Sequence, residues 1–528
     1  MQISDFWKGR FVMKFPHQQK WYQKLLRRRL FFCLLILLQI LTLLYIVISR
    51  SLTSSILNTI LQCVSITVAL HIISRRDKEA YKLTWVFFIL IFPVFGGLMY
   101  LLFRVQTRSK KLLSAMTNAR KQAQAAVIPD LSVYRKALNN AENHARQIEY
   151  LEKHSGFSIY ENTDTQYLSP GEHFLESLLP DLEKAKKYIF IESFIIQDGK
   201  MWGSILDILK RKAAEGLDIR IIYDDMGCFL RLPKHFVKDM QKIGIRCVTF
   251  NQFIPVFTAL QNYRDHRKII AIDGKIAYTG GLNIADEYIN ETHPLGHWKD
   301  AGIRLEGEAA WSLSLIFLEM WVLTGNPEPD LSRYHPYLVT PCAIRNDHGF
   351  VQPFADAPFD DENISEHVYM QIINKARDYV YIMTPYLIID NSMVSALCTA
   401  AKSGVDIRIM TPFHWDKRTV HFMTRSYYRE LIKAGIRIYE YTPGFVHAKT
   451  FVSDDEIATV GSANMDFRSL YLQFECGVWL CNTPSVTELR DDFLATLPLC
   501  KEIRQEDCKA NTIIRFFQDL LRLLAPLM

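Results

Sequence analysis

One unit written twice constrains this chain more than any other feature of its 528 residues. From Asp265 the sequence reads DHRKIIAIDGKIAYTGGLN, and from Val446 it reads VHAKTFVSDDEIATVGSAN. Each copy sets a histidine, a lysine two positions on, an aspartate five beyond that, then Gly-Gly or Gly-Ser and an asparagine. The duplication continues upstream in the same order. KAKKYIFIESFII (from Lys184) answers to KARDYVYIMTPYLI (from Lys375), AAEGLDIRIIYDD (from Ala213) to AAKSGVDIRIMTP (from Ala400), and QKIGIRCVTF (from Gln241) to IKAGIRIYEY (from Ile432). Two copies of one unit predict two similar halves related by a pseudo-twofold. Each half alternates apolar strands with segments of helical period such as MWGSILDILKRKAAEG, which predicts α/β/α layers around a largely parallel sheet. Each motif itself reads as a strand, a tight turn at Asp273-Gly274 or Asp454-Asp455, a second strand and a Gly-rich stretch.

Residues two apart on a strand share a face, so His266 and Lys268 point into one space, as do His447 and Lys449. Asp273 and Asp454 stand an odd number of residues from the histidines and read as braces of their hairpins. If the twofold joins the two sites, one pocket receives two imidazoles, two lysines, Asn283, Asn464 and backbone N–H groups near Gly281 and Ser462. That set suits a phosphodiester. Lysines and amides stabilise charge on the non-bridging oxygens. One neutral imidazole can attack phosphorus, while the other protonates the leaving alkoxide and later deprotonates an incoming alcohol. The lysines take the electrostatic part that a metal plays elsewhere, so no metal and no cofactor is required. An attacking ring needs its second nitrogen held, usually by a carboxylate. Asp300 in GHWKDAGIRLEG and Glu475 in LYLQFECGVWL, each starting or preceding an apolar strand after its motif, are the candidates.

Two H-x-K-x4-D motifs in register, each trailed by Gly and Asn, resemble those of the phospholipase D superfamily. GFVHAKTFVSDDEIATVGSANMDFRSLYLQFE, YRDHRKIIAIDGKIAYTGGLNIADEYI, IMTPYLI and WKDAGIRLEG narrow the resemblance to the bacterial cardiolipin synthases, over roughly residues 70–528. The resemblance implies an active centre of His266, Lys268, Asp273, His447, Lys449 and Asp454. It implies that His266 becomes phosphatidylated and that His447 serves as acid and then base; the symmetry of the motifs does not itself decide between them. It implies phosphate contacts from Asn283 and Asn464, and ring-orienting roles for Asp300 and Glu475. The expected substrates are two molecules of phosphatidylglycerol, giving cardiolipin and glycerol, at a bacterial cell membrane that the chain crosses more than once. Two alternatives of the same chemistry stay open: a hydrolytic phospholipase D and a membrane-tethered phosphodiesterase or nuclease. The basic clusters lie beside the apolar segments rather than in a stripe with stacking aromatics, which suits anionic lipid and not nucleic acid.

The apolar segments lie at the start. LFFCLLILLQILTLLYIVIS (Leu30 to Ser49) is long enough to cross a bilayer; Ile56 to Ile73 is weaker; Thr84 to Phe103 carries Pro93, Gly96 and Gly97, which predict a kink or a re-entrant turn. Lys and Arg flank all of them, so the positive-inside rule does not fix an orientation. The expected organisation is a basic tail at 1–29, a membrane region with two or three transmembrane helices at 30–103, and a helical linker at 104–165. The two phospholipase D-like halves follow at 166–330 and 331–500, and then an amphipathic helix at 501–528 that reads equally as core packing or as a helix lying on lipid. Ten cysteines without CxxC pairs predict free thiols. His293 and His297 read as loop residues, and Trp298, Trp311 and Trp321 as core or interface aromatics. Asp224, Asp225, His414 and Trp415 fall at strand ends where α/β proteins gather ligands.

Overall fold

The computed structural model describes residues 52–75, 78–92 and 110–527, except 253–258, 328, 338–341, 343, 345–348, 360–361 and 510, together with 96, 97, 100 and scattered positions from 37 to 49. The chain divides into two compact units. The larger one, built mainly of residues 114–252 and 264–512, holds both copies of the repeat.

Among the described residues the first copy forms a seven-stranded sheet. Its strands run in the order Thr163–Leu168, Gly302–Gly307, Ile276–Gly280, Ile269–Ile272, Tyr188–Ser193, Asp218–Asp224 and Arg246–Phe250. The second copy repeats that order with Phe350–Asp356, Gln473–Cys481, Ile457–Gly461, Thr450–Ser453, Tyr379–Met383, Asp406–Pro412 and Arg437–Tyr441, and adds Cys500–Ile503 at the far edge. The sheets are mixed, which corrects the largely parallel sheet expected. Tyr188–Ser193, Asp218–Asp224 and Arg246–Phe250 pair in parallel through helical crossovers, but the other pairings are antiparallel. The two-residue turn at Asp273-Gly274 is the cause. Both residues are left-handed, with φ of 53° and 68°, and so short a loop can join only antiparallel neighbours.

Strands such as Tyr188–Ser193 are buried along their whole length, because both faces of the sheet are covered. One face packs on Trp202, Ile205, Leu209 and their neighbours. The other meets the second half in a single core that joins Phe190, Ile269 and Ala271 to Val452, Ala458 and Val460. The helix Ala309–Leu323 lies in this core with Ala309 through Trp321 all buried, which places Trp311 and Trp321 as core aromatics. The segment expected as a linker also belongs to the unit. Met116, Ala123 and Val127 join the core, and the Arg120 guanidinium donates to the Ala355 carbonyl at 3.2 Å. Its helices are amphipathic, and one face of each is buried.

The smaller unit contains the apolar segments. Its helix Leu52–Ile73 covers the second expected span; at 22 residues it is about 33 Å long, enough for a bilayer, and most of its surface is exposed. Among the described residues it is the one helix of that length and hydropathy. Most of Leu30 to Ser49 lies outside the described residues, as do the 1–29 tail and residues 101–109. Of the third expected span, the helix Glu79–Ile91 is described and ends at Phe92, immediately before Pro93; most of the rest of that span lies outside the described residues. Proline has no N–H and disfavours helix for the residue before it.

Candidate active site

The two halves exchange short strands, and the exchange builds the site. Arg264–Asp265 pairs in parallel with Gln473–Phe474 of the second half, and the His266 N–H donates to the Phe474 carbonyl at 3.0 Å. One residue further along that register, His266 stands beside Glu475. The second half mirrors this. Gly444–Val446 pairs in parallel with His297–Lys299, the His447 N–H donates to the Lys299 carbonyl at 2.7 Å, and His447 stands beside Asp300. Each imidazole is thus held by a carboxylate from the opposite half. His266 Nδ1 lies 2.9 Å and 3.1 Å from the Glu475 oxygens, and His447 Nδ1 lies 2.7 Å from Asp300 Oδ2. With Nδ1–H donated to an acceptor-only carboxylate, Nε2 carries the lone pair of each neutral ring.

Burial and charge set the protonation of these groups. His266 and His447 are 7% and 8% exposed, Lys268 5% and Lys449 2%. Desolvation pushes both imidazoles down to about 4, against the pull of their carboxylates, and each ring is lowered further by the lysines of both halves. Lys268 therefore acts on the charge of His447 and Lys449 on that of His266, so the two halves are electrostatically coupled. Burial also lowers the lysines, Lys268 to about 8 and Lys449 to about 7. Burial alone would raise Glu475 and Asp300, but the adjacent histidine and lysine outweigh it and hold both below the ordinary carboxylate range. At neutral pH the site holds two neutral imidazoles on two carboxylates, beside two lysines poised near their pKa.

Aromatic side chains close the walls. Phe194 packs edge-on to His266 at 5.1 Å, with the Lys268 ammonium 5.7 Å from its ring centre. Tyr288, Trp298 and Phe445 surround His447 at 5.3, 5.6 and 6.2 Å. Trp298, read from the sequence as a core or interface aromatic, is part of the site. The asparagines lie close by with different engagements. Asn283 accepts from the Ile195 N–H at 3.0 Å and donates to the Tyr288 hydroxyl at 2.7 Å. Asn464 is buried, and its Oδ1 has no hydrogen-bond partner among the described residues.

The motif aspartates are elsewhere, which corrects their inclusion in the reacting centre. Asp273 accepts from the backbone N–H groups of Lys186, Lys187 and Tyr188 at 2.8, 2.8 and 2.9 Å. Asp454 does the same for Arg377, Asp378 and Tyr379 at 2.8, 3.0 and 2.8 Å. Seven residues of extended chain put each about 23 Å of contour from its histidine. They fix the hairpin to the neighbouring strand and touch no reacting group. Asp224 is also structural. It caps a short helix through the Met226 and Gly227 N–H groups and accepts from the Asp265 N–H at 3.1 Å. His414 and Trp415 are exposed, and His297 bonds the Tyr441 hydroxyl at 3.0 Å.

Sequence reasoning missed a buried charged cluster behind His266. Arg267 is fully buried; its Nε donates to the Glu475 carbonyl and its Nη2 to the Asp356 carbonyl, each at 3.2 Å. Glu319, Glu192 and Asp265 are the acidic groups around it. Desolvation, then the neighbouring Asp265, raises Glu192 well above the carboxylate range, and burial lifts Asp265 to about 6. The signal was present in DHRK: if His266 and Lys268 face the pocket, Arg267 faces the core.

Comparison with known proteins agrees with this geometry. The family described as "Cardiolipin synthase, PLD-like domain" matches residues 178–297 and again 369–497, once in each half, and "Phospholipase_D-nuclease N-terminal" matches residues 63–104. An uncharacterized protein of Streptococcus mutans is 39% identical over 87% of this chain and 99% of its own. Cardiolipin synthase 2 of Bacillus cereus is 36% identical over 84% of this chain and 86% of its own. In fold, the chain is similar to the crystal structure of a phosphatidylserine synthase from Haemophilus influenzae, with a TM-score of 0.55 and 13% identity over 72% of this chain and 99% of that one. Duplicated domain matches and relatives this similar over most of their length establish that the chain belongs to the bacterial cardiolipin synthases of the phospholipase D superfamily.

Proposed function

We propose that this chain is a membrane-tethered phosphatidyltransferase that converts two molecules of phosphatidylglycerol into cardiolipin and glycerol. The observation that carries the proposal is the crossed pair of histidine–carboxylate bonds, which holds two imidazoles by Nδ1 and leaves Nε2 of each as the nitrogen for chemistry, with two buried lysines beside them. In the first step His266 Nε2 attacks phosphorus, the bond to the glycerol oxygen breaks, and His447 delivers the proton that lets glycerol leave. In the second step His447 Nε2 takes the proton from the headgroup hydroxyl of another phosphatidylglycerol. That oxygen attacks phosphorus and the N–P bond breaks, restoring His266. Glu475 stabilises the positive charge that His266 acquires while bonded to phosphorus.

An acid held near 4 needs a proton source, and one stands against it. Lys449 Nζ lies 2.8 Å and 3.1 Å from the two ring nitrogens of His447. Lysine and imidazole hold one proton between them below about 7. A bound phosphodiester anion favours its transfer to the ring facing the leaving group, because it stabilises positive charge there. Lys268 and the oxygen-binding amides then carry the charge on the non-bridging oxygens. Asn464, with an unsatisfied buried oxygen, is placed for a substrate hydroxyl.

Transfer rather than hydrolysis follows from exclusion of water, present at ~55 M in bulk, by a pocket of this burial, and from the high local concentration of lipid hydroxyls at a membrane. Leu52–Ile73 supplies the tether. A multi-pass arrangement belongs to the same proposal and is supported by the apolar stretches on either side of it. The test uses purified full-length protein with labelled phosphatidylglycerol alone. Cardiolipin and free glycerol in equal amounts are expected; phosphatidic acid as the main product would replace transferase by hydrolase.

A further inference from the structure

The helix Thr512–Leu524 has a face that nothing else in the reaction explains. Its sequence, TIIRFFQDLLRLL, places apolar residues at 513, 514, 516, 517, 520, 521, 523 and 524. At about 100° per residue these occupy one continuous arc of roughly 180°, and Thr512, Arg515, Gln518, Asp519 and Arg522 occupy the opposite side. A soluble helix divided in this way turns the apolar arc into a core. Here the first half of the arc is open: Ile513 is 68% exposed, Phe516 63% and Phe517 53%, while Leu520, Leu521, Leu523 and Leu524 are half-buried. The packing reading of this segment is therefore met only toward its C-terminal end and not by Ile513, Phe516 and Phe517.

The far end of the helix shows which surroundings the arc meets. The Thr84 hydroxyl, itself fully buried, donates to the Leu523 carbonyl at 2.6 Å, and Ala525 is buried beyond it. Thr84 belongs to the helix Glu79–Ile91, which exposes Leu83, Leu90 and Ile91, and which packs against Leu52–Ile73 with its own exposed Ile56, Ile60, Val64 and Leu70. The amphipathic helix is thus anchored at its C-terminal end in the unit that holds the apolar helices. Thirteen residues make about 20 Å, too short to cross a hydrocarbon core of ~30 Å. Two arginines against one aspartate leave the polar side positive, which suits anionic headgroups.

We propose that Thr512–Leu524 lies in the bilayer interface, with Ile513, Phe516 and Phe517 among the acyl chains and Arg515 and Arg522 on the headgroup side, as a second attachment besides the spanning helix. The occupant of the apolar face is lipid, not a partner helix and not a second copy of this chain. The inference rests on the membrane unit alone and stands whatever reaction the pocket performs.

A photoreactive benzophenone amino acid placed at position 516 of the full-length protein tests it in native bacterial membranes. Position 518, on the polar side, is the control. Irradiation should give lipid adducts at 516 in at least about five-fold excess over 518, as expected for a side chain below the headgroups. Polypeptide adducts at 516, within one chain or between copies, would overturn the proposal. Equal lipid yields at the two positions, or none, would overturn it too. Because Phe516 is exposed, the replacement leaves the packed structure intact, and unchanged phosphatidyl transfer by the labelled protein verifies that.

Discussion

The two halves share strand order, turn, histidine, lysine and aspartate, yet they support their histidines differently. Behind His266 stand Arg267, Asp265, Glu192 and Glu319, all buried. The corresponding positions behind His447, by the register of the two sheets, are Ala448, Val446, Met383 and Leu494. One half backs its imidazole with ions and the other with hydrocarbon. The carboxylates differ as well. Glu475 is longer than Asp300, and its second oxygen accepts from the Ser462 hydroxyl. Asp300 instead turns one oxygen back to the Ala301 N–H at 2.8 Å, in space left open by Gly281. Duplication supplied one frame twice, and the two copies then took unequal parts in it.

The largest expected effect comes from removing the cation of the ionic half. In Arg267→Met the buried acidic groups Glu319, Glu192 and Asp265 lose the cation that they surround. Breaking such a buried group from one side costs about 3–5 kcal/mol, because the remaining charges stay desolvated. Full-length protein in detergent should unfold at a markedly lower temperature. Giving the first half the apolar character of the second, with Glu192→Met, Asp265→Val, Arg267→Met and Glu319→Leu together, should recover most of that loss, since well-packed hydrocarbon replaces buried ion groups at little or no cost. A quadruple variant no more stable than the single one would mean that the Arg267 bonds to the Glu475 and Asp356 carbonyls, not charge balance, carry the effect.

The next largest effect distinguishes the two carboxylates at equivalent positions. A Cβ at Gly281 would lie 2.1 Å from Asp300 Oδ1 and 2.9 Å from the His447 carbonyl oxygen. Gly281→Ala must therefore displace Asp300 and unseat His447, and turnover should fall on the order of 10²-fold, the scale of losing a ring-orienting partner. Ser462→Ala, its counterpart, removes one hydrogen bond from Glu475 and leaves His266 Nδ1 engaged. A loss of about 1 kcal/mol, or about five-fold, is expected from steady-state rates. Equal losses in the two variants would mean that both carboxylates are held by the surrounding fold, and that the difference between Gly281 and Ser462 is without consequence.

How much of this was legible in the sequence follows from the range of the interactions. Periodicity and turn chemistry are local, so the strand–turn–strand motifs and the outward-pointing Asp273 and Asp454 could be read directly. Asp300 and Glu475 were legible as carboxylates in the right place. The crossing of each to the opposite histidine was not, because it depends on two exchanged strand pairs 147 and 209 residues apart in sequence. The antiparallel part of the sheet was misjudged although its cause, the tight turn, was recognised. The ionic cluster was invisible for a different reason: Glu192 and Glu319 each sit singly in an apolar run, and only packing brings them to Arg267.

The smallest effect separates the two lysines. Lys268 donates to the carbonyl of His266 at 2.5 Å, whereas Lys449 also stands against both ring nitrogens of His447. If Lys449 stores the proton that His447 delivers, kcat/KM needs that pair protonated, and it falls as pH rises through about 7, where Lys449 loses its charge. The acid side is set by His266, which must be neutral to attack and is so above about 4. Lys449→Arg keeps the positive charge but surrenders no proton, since guanidinium does not titrate in this range. The proton must then reside on His447 itself, whose pKa is low, and the alkaline limb should move to lower pH by about one unit or more. Lys268→Arg should leave that limb in place. A limb that moves upward in Lys449→Arg would reduce Lys449 to a fixed charge, and the two halves would be alike in this respect after all.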